Sequence, residues 1–162
     1  MEIQLKVLIE CLRKKELALK QIANITQNQG DLITSNLGHE EIYSIFMLMN
    51  SEKQEFINRV LQCDEVFENM FREVGPELDA NPSKYGDEVN ALQELIRLVM
   101  DLDVQIRVNE DTNSQALSER LMQYRDRLML EEKAEKPDAI DSGEYGSQKV
   151  LDAYRSQSRD RK

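Results

Sequence analysis

Glycine and proline are confined to a few places in this chain, and their distribution limits its fold more than any other feature. Neither residue occurs between Met1 and Gln29, between His39 and Val74, or between Asp87 and Lys136. Those stretches are rich in Glu, Lys, Gln, Leu, Arg and Met, which lose little on entering a helix. The breakers cluster from Gly30 to Gly38, and from Gly75-Pro76 through Asn81-Pro82 to Gly86. Gly accepts the left-handed conformation that ends many helices, and Pro lacks the amide needed to continue one. The pattern predicts helices over roughly 2–28, 39–74 and 84–132, with loops near 30–38 and 75–84.

Apolar spacing supports the same division. Leu5, Leu12 and Leu19 recur at seven, with Leu8 and Ile22 between them and Lys15 interrupting the second series. Ile42, Ile45, Phe46, Met49, Phe56, Val60, Phe67, Met70, Phe71 and Val74 supply a face for the second helix. Its seam weakens at Ser51-Glu52-Lys53, where Ser51 can cap a restarted helix or mark a kink. Leu92, Leu95, Ile96, Val99, Leu102 and Ile106 form the seam of the third. Asn109 and Asn113 then fall on that stripe, either buried to fix register or facing water.

The expected fold is all-α: an extended antiparallel three-helix bundle, coiled-coil-like, with a long third helix. At 1.5 Å per residue that helix spans about 70 Å, more than the other two can cover. Its C-terminal half should therefore carry an uncovered apolar face. Leu117, Leu121, Tyr124 and Leu128 share one side of it and are the expected partner-binding anchors. A bundle over 1–132 is followed by 133–162, where apolar residues thin out and Pro137, Gly143 and Gly146 intervene, which predicts a mobile C-terminal tail. Within it, 147–155 can form a short amphipathic helix whose Val150, Leu151 and Tyr154 would shield the anchors until a partner displaces them.

Charge excludes some functions. The formal net charge is −10, and residues 31–119 hold 19 acids against 6 bases. Nucleic-acid binding needs a basic footprint that such a chain lacks. The longest apolar run is five residues, Ile45 to Met49, far short of the ~20 of a membrane span. The opening MEIQLKVLIE carries charges within its apolar stretch and does not read as a signal peptide. Cys11 and Cys63 read as reduced, which suits the cytoplasm.

Catalytic signatures are not found. The sequence contains no CxxC, GxxxxGK[ST] or GxGxxG, and its one histidine cannot supply a Cys/His zinc site or a di-iron bundle. Phosphotransfer at His39 is disfavoured by its place at a helix start beside Glu40 and Glu41, where it should be exposed. No enzyme activity and no cofactor are expected.

Several strings stand out along the three helices and the tail: Ile22-x-x-x-Thr26-Gln27-x-Gln29, Glu52-Lys53-Gln54-x-x-Ile57 with Asp64-Glu65-x-Phe67, and Gln93-x-Leu95-Ile96. Val104-x-Ile106, Glu110-x-x-Asn113 and Gln148-Lys149-Val150 with Ala153-Tyr154 complete the set. Together they resemble the flagellar export chaperones of the FlgN type, in the form common in Gram-positive bacteria, and the resemblance covers roughly residues 10–155. Cys63 stands where that family has Leu, Val66 where Gly is common, and the basic ending lacks a Phe-containing terminus. The resemblance implies a cytoplasmic chaperone that covers the amphipathic terminal helices of flagellar hook-associated proteins at the hook–filament junction. It would deliver them to the flagellar export apparatus without a cofactor. Alternatives are a chaperone of the filament cap protein and a coiled-coil adaptor outside export; the adaptor would self-associate through helix three, for which a weak homodimer is the expected sign.

Overall fold

The computed structural model describes residues 1–135. It is all-α, with α1 over Glu2–Ile33, α2 over His39–Ala80 and α3 over Gly86–Glu135. No strand occurs among the described residues. The expected tail over 133–162 and its helix at 147–155 lie outside them, apart from the last residues of α3.

The helices run further than the breakers indicate. Gly30 lies inside α1, and Gly75-Pro76 lies inside α2, so the expected loops shrink to 34–38 and 81–85. Gly30 has no positive φ and terminates nothing. Pro76 costs α2 one amide donor, the one that would have met the carbonyl of exposed Arg72, which water can satisfy. No restart occurs at Ser51 either: α2 is continuous, and the Ser51 hydroxyl donates to the Met47 carbonyl at 3.2 Å. In the first loop, Ser35 Oγ donates to the Leu32 carbonyl at 2.7 Å, occupying an acceptor that the end of α1 leaves open. Glu40 and Glu41 open α2, and Asp87 and Glu88 open α3, each matching the positive end of its helix.

The helices divide into two compact units. Unit 1 comprises Met1–Asn24 and Glu52–Arg107; unit 2 comprises Ile25–Ser51 and, among the described residues, 108–135. Unit 1 holds two clusters, one of Leu5, Leu8, Leu12, Val74, Tyr85 and Leu92, the other of Leu19, Ile22, Ile57, Val99 and Ile106. Rising numbers on α1 and α3 meet falling numbers on α2, so α2 is antiparallel to both within this unit. Tyr85 closes its end from the second loop, with its hydroxyl donating to Glu77 Oε1 at 2.8 Å. Lys15, the interruption in the α1 seam, pairs with Asp64 on α2. The core of unit 2 is Ile33, Phe46, Leu117 and Leu121, flanked by Leu32, Tyr43 and Ala116.

Three seam assignments change. Ile96 is exposed, although its neighbours Leu92 and Val99 are buried; Phe71 is exposed beside buried Val74, and Ile45 is exposed beside buried Phe46. An apolar stripe wider than the contact leaves its edge residues in water.

Candidate functional site

The expected anchors are placed differently from one another. Leu117 is 0% exposed and Leu121 is 3% exposed, both packed against Ile33 of α1 and Phe46 of α2. The expectation that this face is uncovered is therefore corrected. It assumed that α1 ends near residue 28, whereas the extra helical residues to Ile33 reach α3. Tyr124 is half-buried, with its hydroxyl donating to Glu40 Oε1 at 3.1 Å and its ring 5.0 Å from His39 and 6.2 Å from Tyr43. Leu128 is half-buried and lies beyond the core cluster. Val150, Leu151 and Tyr154 lie outside the described residues.

Arg120, which no sequence pattern marked, organises this part of unit 2. Its guanidinium donates to the Ile33 carbonyl at 2.7 Å, the Leu37 carbonyl at 3.1 Å and His39 Nδ1 at 3.2 Å. A cation on the Ile33 carbonyl, the last of α1, matches the negative end of that helix. His39 is thus half-buried and engaged rather than exposed. Burial, Arg120 and Arg127, in that order, hold its pKa below the ordinary value, and burial first pushes the Tyr43 hydroxyl well up. Stability carried by a neutral His39 is complete above the unfolded value of ~6.5 and declines as pH falls below it, because the unfolded chain takes the proton first. Between pH 7.5 and 5.5 the melting temperature of the wild type should fall more steeply than that of His39→Asn. Parallel melting curves for the two proteins would contradict the role given to the neutral ring.

A buried polar layer lies in the same unit. Asn113 is 6% exposed, and its Nδ2 donates to the Thr26 carbonyl at 2.7 Å. This settles the alternatives for Asn113 in favour of burial; Asn109 is half-buried. Gln29 Nε2 donates to Asn50 Oδ1 at 2.7 Å and to the Phe46 carbonyl at 3.4 Å. Gly30 sits directly against this layer: a Cβ there would stand 2.8 Å from Asn113 Oδ1. The buried polar residues described are Thr26, Gln29, Asn50, Glu110 and Asn113 in unit 2 and Lys53 in unit 1. All except Asn50 fall in the strings that carry the chaperone resemblance.

Unit 1 carries a trough between α1 and α2. One cavity of about 660 Å³ is lined by Lys14, Leu17, Ala18, Gln21, Phe56, Arg59, Gln62 and Cys63. A second of about 390 Å³ adds Val7, Glu10, Cys11 and Val66, and shares Lys14, Gln62 and Cys63 with the first. Leu17 is 64% exposed, and Val66 is exposed as well. Arg59 is held over the Phe56 ring at 5.0 Å. Burial, chiefly, pushes both thiols above their ordinary pKa, with the nearby Cys63 adding to the effect on Cys11, so neither is activated as a nucleophile. Sequence reading missed this trough because Lys14 and Gln21 interrupt its apolar pattern.

No family model, curated protein or solved structure matches this chain. Among the described residues, no three His, Cys, Asp or Glu side chains are grouped so as to hold a metal ion, and no helix is long and apolar enough to cross a membrane.

Proposed function

We propose that this protein is a cytoplasmic chaperone of type III flagellar export. It binds the amphipathic terminal helices of hook–filament junction proteins, prevents their premature self-association and hands them to the export apparatus. The observation that carries this reading is the placement of the resembling strings. Thr26, Gln29, Lys53, Glu110 and Asn113 belong to those strings and are buried, each with a partner. Buried polar positions are costly and dictate specific packing, so they constrain a sequence more than exposed helix positions do. The exposed apolar side chains of the unit 1 trough provide the kind of surface that an amphipathic helix can cover.

Titration of the full chain with a purified hook–filament junction protein tests this. A one-to-one complex is expected, and deleting the terminal amphipathic helices of the junction protein should abolish it. Failure of the intact junction protein to bind would overturn the assignment; preferential binding of the filament cap protein would move it to that cargo.

One observation favours a coiled-coil adaptor as the second reading. Ile96, Met100 and Val104 recur at four on α3 and are all exposed within unit 1. Sedimentation of the protein alone separates the readings: a monomer fits the chaperone, and a dimer lost on Met100→Glu fits the adaptor.

A further inference from the structure

We propose that the trough between α1 and α2 of unit 1 receives one amphipathic helix whose carboxylates lie toward Lys14 and Arg59. This deepens the chaperone reading, on which it rests for the source of the helix.

The trough has the register of a helix-packing seam. On α1 its lining residues Val7, Cys11, Lys14, Ala18 and Gln21 are spaced four, three, four and three. On α2, Phe56, Arg59, Cys63 and Val66 are spaced three, four and three. This is the spacing by which a helix meets another helix. The core-facing seam of α1 is a different one, through Leu5, Leu8, Leu12, Leu19 and Ile22. Cys11, Ala18 and Cys63 are small for core positions, so the floor lies low and an incoming ridge of side chains can enter. From Val7 to Gln21 the trough runs ~21 Å along α1, about four turns of a docked helix.

Charge selects among amphipathic helices. The chain as a whole carries −10 and repels acidic partners at long range. The trough is locally different: Arg59 lies toward its Phe56 end, Lys14 lies midway where the two cavities meet, and Glu10 lies toward its Val66 end. The guanidinium of Arg59 is already positioned by the Phe56 ring. A helix with acids along the part that meets Lys14 and Arg59 gains paired charges at the edge of a desolvated apolar contact, where they discriminate between partners.

The test uses the full chain and three probes: a synthetic amphipathic helix flanked by Glu, the same helix flanked by Lys, and the terminal segment of a junction protein. The wild type should bind the Glu-flanked helix at least about tenfold more tightly than the Lys-flanked one. Lys14→Glu with Arg59→Glu should reverse that preference. Leu17→Asp should weaken both at least about tenfold with an unchanged melting temperature, whereas Val104→Asp, at an exposed position on α3, should leave binding unchanged. Bound helix should also slow alkylation of Cys63. Equal affinity for the two synthetic helices in both backgrounds would overturn the proposal, as would a Val104→Asp loss matching that of Leu17→Asp. Self-association of the protein alone that Leu17→Asp abolishes would place a second copy in the trough and overturn it too. If the Glu-flanked helix binds as stated and the junction segment does not, the trough assignment stands and the flagellar reading falls. If the junction segment binds equally well to all variants, the trough assignment falls and the flagellar reading stands.

Discussion

Leu121→Asp is expected to lower the melting temperature by roughly 10 °C, with loss of helix in unit 2. Leu121 is packed with Ile33, Phe46 and Leu117 and has almost no contact with water. Removing the isobutyl group alone costs about 3 kcal/mol at such a site, and a carboxylate without a partner there adds to the loss. For a chain of this length, each kcal/mol shifts the midpoint by about 2–4 °C. Asp at 121 can reduce its own penalty by taking up a proton, so the loss should be smaller at pH 4 than at pH 7 when each is compared with wild type. A Leu121→Asp protein that melts with the wild type would mean that unit 2 leaves this side chain in water. The result also fixes how any cargo effect of this substitution is interpreted, because an unfolded unit 2 loses binding for a trivial reason.

Gly30 and Asn113 are expected to be coupled by about 2 kcal/mol in a double-mutant cycle. Gly30→Ala alone should destabilise the protein even though Ala is the better helix former by about 1 kcal/mol. The new methyl would meet Asn113 Oδ1 at 2.8 Å, and the amide cannot retreat without losing its bond to the Thr26 carbonyl. Breaking a buried hydrogen bond costs about 1–3 kcal/mol, which outweighs the helix gain. In an Asn113→Ala background the obstacle is gone, and Gly30→Ala should become stabilising. Chemical denaturation of the four proteins measures both signs. Gly30→Ala destabilising by the same amount in both backgrounds would remove the close approach as the reason for this glycine.

The same pair shows why loop positions were the least legible part of the sequence. Gly30 reads as a helix end when only its backbone freedom is considered, but it serves close packing against α3. Gly75-Pro76 reads as a break, yet one missing donor beside exposed Arg72 is a loss that a 42-residue helix absorbs. What was legible depended on spacing alone: Leu5, Leu12 and Leu19 recur at seven, and all are buried. Of the anchor residues, Leu117 and Leu121 were correctly placed on one face, but what covers that face depends on residues 29–33 staying helical. The trough was hidden for a different reason. Its seam mixes Val, Cys, Ala, Lys and Gln, so no run of large apolar residues announces it. Arg120 carried no signal at all, because its acceptors, the Ile33 and Leu37 carbonyls and His39 Nδ1, come together only where α1 ends and the first loop leads into α2.

Hydrogen exchange on the full chain, free and saturated with the terminal amphipathic segment of a hook–filament junction protein, tests the binding site most directly. Added protection is expected in residues 7–21 of α1 and 56–66 of α2, with 113–121 of α3 unchanged. Protection confined to 117–128, or none anywhere at saturating segment, would contradict the assignment of the trough as the cargo surface.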